Sequence, residues 1–295
     1  MRTRMLFATP VAAVLGFAIA ASPASAGLID RTTSKLGGVT QGLGGGSGET
    51  EFTLGGERCR LIPVAPAQAP PVGTGECPGV RPGAVVLSDL GQCSFNFLFN
   101  GGDGRRYIGT AGHCILEDEG EERSWAPGRG PEARDGSGQR IGEFAYAVLE
   151  DPKDFALIRL DPGVAADPAM CYFGGPTGID DSTPGPLPPT LLHHFGAGLL
   201  VGDVLPARTA VATGMPDPDH VFANGVAIFG DSGSGAISAS GGAVGVLVTL
   251  GGHAGSIGAD GVEVGTIGIT RIRPQIERAA QVVGTGMTLQ TAPLQ

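Results

Sequence analysis

The chain has 295 residues, of which 52 are glycine and 23 proline, and only 16% are charged. Its 19 basic residues face 29 acidic ones, for a formal charge of −10. That balance excludes a protein built to grip phosphate backbones, so no nucleic-acid partner is expected. The glycine and proline content excludes a mostly helical fold and favours a turn-rich β protein.

In chain order, Arg2 and Arg4 form a positive start, residues 6–20 are apolar apart from Thr9 and Pro10, and Ala24-Ser25-Ala26 has the form of a cleavage site. Residues 1–26 are therefore expected to be a secretory signal, and the product to be secreted and extracellular. The apolar run is short for a bilayer span, and no membrane association is expected after cleavage. Residues 27–82 read as a Gly/Pro-rich leader, either a propeptide or a partly disordered tether. Its Gly-rich run at 42–48 is flexible and its Pro-rich run at 63–71 extended, and neither can build a core.

From residue 83 the texture changes to short apolar runs punctuated by glycine. Strands are expected at 84–87, 94–99, 106–110, 142–149 and 156–160. After a Pro-rich link near 183–189 they are expected at 191–195, 199–205, 221–229, 235–238, 244–250 and 262–270. Many short strands in two sets predict an all-β domain over 83–285, of sandwich or barrel type. A helix is expected over 274–283, with Pro274 in its first turn, Ile276, Ala279, Ala280 and Val283 on one face, and Gly284 to end it. Residues 286–295 are read as a tail.

Five cysteines is an odd number for an exported chain. A bridge from Cys93 to Cys114 would close the loop carrying His113 and stabilise the domain by about 3 kcal/mol. Of Cys59, Cys77 and Cys171, one further pair can form. Cys77–Cys171 would tie the leader to the domain, and Cys59–Cys77 would close a small local loop.

The chemistry gathers on three segments. Gly230-Asp231-Ser232-Gly233 can present a serine hydroxyl on a tight turn, with the Gly230 and Ser232 N–H groups as an oxyanion hole. A serine needs a base, and His113 in Thr110-Ala111-Gly112-His113-Cys114 titrates near working pH. Asp154, at the head of the apolar run 154–160, can orient that imidazole. An esterase of α/β type expects Gly-x-Ser-x-Gly and the order serine, acid, histidine. Here Ser234 stands at the last motif position and the order is reversed. No metal is expected: His193, His194, His220 and His253 lack ligand spacing, and the acidic run 117–122 reads as a solvated loop rather than a calcium site. No organic cofactor is expected either.

Segments 91–97, 107–114, 154–160 and 230–233 together resemble the chymotrypsin-like (trypsin-like) serine proteases, nearest the secreted bacterial streptogrisin branch. The resemblance covers roughly residues 83–283. It implies two six-stranded antiparallel barrels with His113, Asp154 and Ser232 in the cleft between them, a Cys93–Cys114 disulfide, and endopeptidase activity on protein or peptide substrates by a monomer. Ser234 and Gly235 depart from the Gly-Pro that often ends the serine motif. No Ile-Val-Gly-Gly start precedes the first barrel, so an N-terminal ammonium is not expected to balance Asp231, and an arginine is expected instead. By family position, Val226 stands where trypsin-like members carry an acid, which disfavours a basic P1 residue. Thr249, Leu250 and Gly251 correspond to the strand that pairs with substrate and lines the S1 pocket. With small residues around 265–268 on the far wall, an apolar or medium-sized P1 side chain is expected. The competing reading is a catalytically silent module of the same fold that binds peptides or surfaces.

Overall fold

The computed structural model describes residues 50–54, 57–61, 77–150, 153–198, 206–225, 227, 229–250 and 266–295. The expected signal, much of the leader and the expected strand at 199–205 lie outside them. The chain divides into two units, Met1–Pro66 and Ala67–Gln295. In the first, β1 (Thr50–Leu54) and β2 (Glu57–Leu61) form an antiparallel hairpin with Phe52 opposite Cys59.

The second unit contains two antiparallel sheets. The first is built from β3 (Val85–Ser88), β4 (Gly91–Ser94), β5 (Leu98–Gly101), β6 (Arg106–Thr110), β7 (Glu121–Ser124), β8 (Glu132–Asp135), β9 (Arg140–Glu150) and β10 (Lys153–Leu160). Its order runs β5-β6-β10-β9-β8-β3-β4, with β7 beside β9. The two ends of that path, β4 and β5, are consecutive in the chain. Residues 95–97 join them and bond to both sides. Phe95 N–H donates to the Ala84 carbonyl (2.9 Å), Asn96 N–H to Gly109 (2.8 Å), and Gly109 N–H to Phe97 (3.0 Å). The expected single strand over 94–99 is therefore a corner at which one chain segment changes partners and the sheet rolls round on itself.

The second sheet takes β11 (Gly178–Ile179), β12 (Leu191–Phe195), β13 (Ala207–Asp217), β14 (His220–Asn224), β15 (Gly235–Ser238), β16 (Gly242–Leu250) and β17 (Thr266–Arg271). The path β16-β15-β12-β13-β14-β17 returns to β16, a closed six-stranded antiparallel ring. Only β11 is parallel, on β16. The fold is thus all-β, with two barrel-like sheets and one short C-terminal helix, the architecture expected above.

The two cores differ in filling. Phe95, Phe97, Phe99, Tyr107, Phe144, Tyr146 and Phe155 are fully buried in or beside the first barrel. Each such aromatic removes enough apolar surface from water to stabilise the fold by about 1.5–3 kcal/mol. The closed ring is filled by smaller side chains, among them Ala210, Ala212, Ala223, Val244, Ile267 and Ile269.

Helix α1 (Ile272–Val283) starts two residues before Pro274 and buries Ile272, Gln275, Ile276 and Ala279. Gly284 ends it at φ 78°, its N–H donating to the Ala280 carbonyl at 3.0 Å. Arg278 reaches Glu122 at the start of β7 with a 2.7 Å contact. The last residues are docked: β18 (Met287–Leu289) pairs with β5, and Leu294 bridges to Gly174.

Candidate active site

β6 leads through Ala111 into a 3₁₀ turn, Gly112–Cys114. The turn lies hard against β9: a Cβ on residue 112 would stand 1.8 Å from the Val148 carbonyl oxygen, so only glycine fits. This packing sets His113 over the beginning of β10, where Asp154 is opposite Leu149.

The Asp154 carboxylate is buried and its two oxygens have different duties. Oδ1 accepts the backbone N–H groups of Gly112 (2.5 Å) and His113 (3.0 Å), and Oδ2 meets His113 Nδ1 at 2.6 Å. An ionised carboxylate is acceptor-only, so Nδ1 carries the proton and Nε2 keeps its lone pair. Burial pulls the His113 pKa down, but the hydrogen bond and the charge of Asp154 outweigh it and hold the pKa above the ordinary imidazole value. Among the described residues, Nε2 has no hydrogen-bond partner. The result is a base of fixed tautomer with its basic nitrogen open.

The Cys93–Cys114 disulfide closes at 2.04 Å and fastens the end of β4 to the residue after His113. Cys77 and Cys171 form the second bridge, one of the two pairings left open by the sequence. Among the described residues, Cys93, Cys114 and His113 are the one cluster near enough for metal ligation. Two of those three sulfur or nitrogen donors are already spent on the disulfide. In the acidic run, Glu122 is held by Arg278 and the Tyr146 hydroxyl.

The serine loop precedes β15. Asp231 is fully buried and forms an ion pair with Arg208, itself buried on β13. Arg208 is thus the arginine expected opposite Asp231, which the sequence alone did not identify. The available signal was alternation: Arg208, Ala210 and Ala212 point inward while Thr209, Val211 and Thr213 are exposed. The small side chains of β13 gave no apolar run, so the strand itself was not expected. β7 and β8 were missed for a related reason, both being short and made mostly of charged or polar residues.

Around Ser232 the backbone is stitched on both sides. The Ser232 carbonyl accepts the Ser94 N–H (2.8 Å), Gly233 N–H donates to Leu247 (2.8 Å), and Ser234 N–H donates to Asp231 (2.9 Å). Gly233 sits at φ 88°, and a Cβ there would come within 2.3 Å of Thr110 Oγ1 and 2.8 Å of the Ala111 nitrogen. The serine and histidine loops thus touch through a glycine that nothing larger can replace. Among the described residues, the Gly230 and Ser232 N–H groups have no protein acceptor, and the Ser232 hydroxyl has no partner.

Thr249 and Leu250 end β16, opposite Gly268 and Ile267 of β17. Val226 and Gly251 lie outside the described residues. Phe229, just before the serine loop, is 79% exposed.

No protein-family profile and no curated protein matches the sequence. Among solved structures, the chain is similar to Nocardiopsis protease at 17% identity and a TM-score of 0.49, over 70% of this chain and 98% of that one. It is also similar to an alpha-lytic protease homolog, N4, at 21% identity and a TM-score of 0.45, over 70% and 97%. An inactive form of Rv3671c from Mycobacterium tuberculosis follows at 14% identity and a TM-score of 0.41, over 68% and 85%.

Proposed function

We propose that the protein is an exported serine endopeptidase that works through an acyl-enzyme. One observation carries the reading: Asp154 holds His113 by Nδ1 at 2.6 Å while two backbone N–H groups fix its other oxygen, and the loop of Ser232 packs through Gly233 on Thr110 and Ala111, just before His113. A buried, oriented imidazole of this kind is what a serine nucleophile needs.

In the proposed reaction Ser232 Oγ attacks the scissile carbonyl as its proton passes to His113 Nε2. The imidazolium is stabilised by Asp154, and the new oxyanion is received by the unused N–H groups of Gly230 and Ser232. His113 then protonates the leaving amine. Water, deprotonated by the same nitrogen, releases the acyl group. Thr249, Leu250 and Gly251 are assigned to substrate pairing, and the absence of an acid at Val226 supports an apolar or medium-sized P1 residue. Residues 1–26 are assigned to export, and the active form is a monomer.

A fluorophosphonate probe tests this on the purified protein. The adduct is expected on Ser232, absent in Ser232→Ala and much reduced in His113→Ala. Folded, fully processed wild type that stays unlabelled would instead establish the peptide-binding module. Cleavage of a peptide library reads out P1, and a strong Arg/Lys preference would sink the apolar assignment.

A further inference from the structure

We propose that Ser94 is the positioning residue of the serine loop, its hydroxyl fixing Gly230 and hence the oxyanion hole. The inference rests on the reading of Ser232 as nucleophile.

Ser94 is the last residue of β4, completely buried, next to the disulfide half Cys93. Every polar group it owns is used. Its N–H donates to the Ser232 carbonyl at 2.8 Å, and its carbonyl accepts the Thr110 hydroxyl at 2.9 Å. Its Oγ accepts the Ala197 N–H at 3.0 Å and lies 2.7 Å from the Gly230 carbonyl oxygen. A hydroxyl has one proton, and Ala197 supplies its own. The Ser94 proton is therefore committed to Gly230.

One side chain and one backbone N–H thus clamp the carbonyls on both sides of Asp231. The two clamps do unequal work. The Ser232 carbonyl is held by backbone, which any residue at position 94 would supply. Among the described residues, the Gly230 carbonyl is held by the hydroxyl alone. Gly230 is at φ 98°, with no Cβ to restrict rotation of its peptide planes. In a buried site the freed carbonyl has no water to turn to, so the loop would readjust to satisfy it. Gly230 carries one of the two N–H groups assigned to the oxyanion, and readjustment moves that donor. Ser94 also reaches the histidine side, through Thr110 and the Cys93–Cys114 bridge, without touching substrate.

The test compares wild type with Ser94→Ala, Ser94→Thr and Ser94→Cys on a peptide substrate, with active-site titration to count competent molecules. Full loss of an oxyanion donor costs about 10²–10³ in kcat, and a loosened donor less. For Ser94→Ala we expect kcat per active molecule to fall ~10–100-fold with KM changed under about twofold. Affinity for a peptide boronic acid, whose adduct needs the oxyanion hole, should fall in parallel. The pH midpoint of kcat/KM, set by His113, should not move. Ser94→Thr, which keeps the hydroxyl, should restore most of kcat, and Ser94→Cys, a near-isostere with a weak donor, should not. A folded Ser94→Ala with wild-type kcat and boronate affinity overturns the proposal. So does a loss fully explained by fewer titratable sites, or a shifted pH midpoint. If Ser94→Ala does not fold, the Cys and Thr variants decide by the same readouts. Wild type that fails to label at Ser232 fails the protease reading itself, which separates the two outcomes.

Discussion

Asp154→Asn should nearly silence the protein while leaving it folded, because the geometry dictates which way the new amide must face. Oδ1 of Asp154 accepts two backbone N–H groups, from Gly112 at 2.5 Å and His113 at 3.0 Å. An asparagine has to keep its oxygen there, since its NH₂ would meet two donors. The NH₂ is then aimed at His113 Nδ1, which must become an acceptor. That moves the imidazole proton to Nε2, and a protonated Nε2 cannot take the proton of Ser232. A wrong tautomer in an otherwise intact triad costs about 10⁴ in kcat, or about 5.4 kcal/mol of transition-state stabilisation. The assay is kcat/KM together with the second-order rate of fluorophosphonate labelling, which depends on the nucleophile rather than on substrate fit. Stability adds an independent reading. The folded-state pKa of His113 is raised, so its pairing with Asp154 contributes fully below the ordinary imidazole pKa of about 6.5 and is lost as pH rises through the folded value. The Tm gap between wild type and Asp154→Asn should therefore be wider at pH 5 than at pH 8. Activity within tenfold of wild type, or a Tm gap that widens with pH, would refute the assignment of Asp154 as the orienting carboxylate.

Removing one partner of a buried ion pair strands the other, so Arg208→Leu should destabilise the domain by about 3–5 kcal/mol in denaturant titration. A double-mutant cycle with Asp231→Leu should recover part of that loss. Replacing Cys93 and Cys114 together by alanine opens a loop of sequence separation 21 and should cost about 3 kcal/mol, with a matching fall in denaturant midpoint. Truncation after Leu289 removes four backbone hydrogen bonds, through Gln290, Ala292, Pro293 and Gln295. At about 1 kcal/mol each, a loss of roughly 4 kcal/mol is expected by the same titration. An unchanged midpoint would mean the docked tail carries no stability.

The pairing of His113 with Asp154, at 2.6 Å, was legible because chemistry leaves few residue types for the tasks proposed for them and for Ser232, and their local contexts are short. A glycine flanking Ser232 and a cysteine after His113 mark turns within a few positions. The strands with apolar runs, such as β10 and β16, were visible for the same local reason, as was α1 with its proline near the start and glycine at the end. What escaped notice depends on partners far away in sequence. Arg208 is recognisable as the partner of Asp231 only once β13 is known to face the serine loop. Ser94 looks like an ordinary strand residue until the corner at 95–97 brings it against Gly230 and Ser232. The corner itself was hidden, because Phe95, Phe97 and Phe99 read as one apolar strand. Their burial is the same whether the strand runs straight or changes partners.

The two attachments of the serine loop divide its control between the barrels. Within its own barrel the loop is held by Arg208 on Asp231 and by Leu247 on Gly233. From the first barrel it is held by Ser94, and by Thr110 and Ala111 packed on Gly233. His113 and Asp154 both belong to the first barrel and are locked to each other. In the proposed mechanism the remaining variable is the distance from Ser232 to that pair, set at the contact between the barrels. A buried carboxylate without a counter-charge costs several kcal/mol, and Arg208 supplies one from β13. Phe195, Ile237, Val246 and Val248 of the second sheet share one buried cluster with the aromatics of the first, so perturbations at this contact should slow the proposed proton transfer from Ser232 and lower stability together.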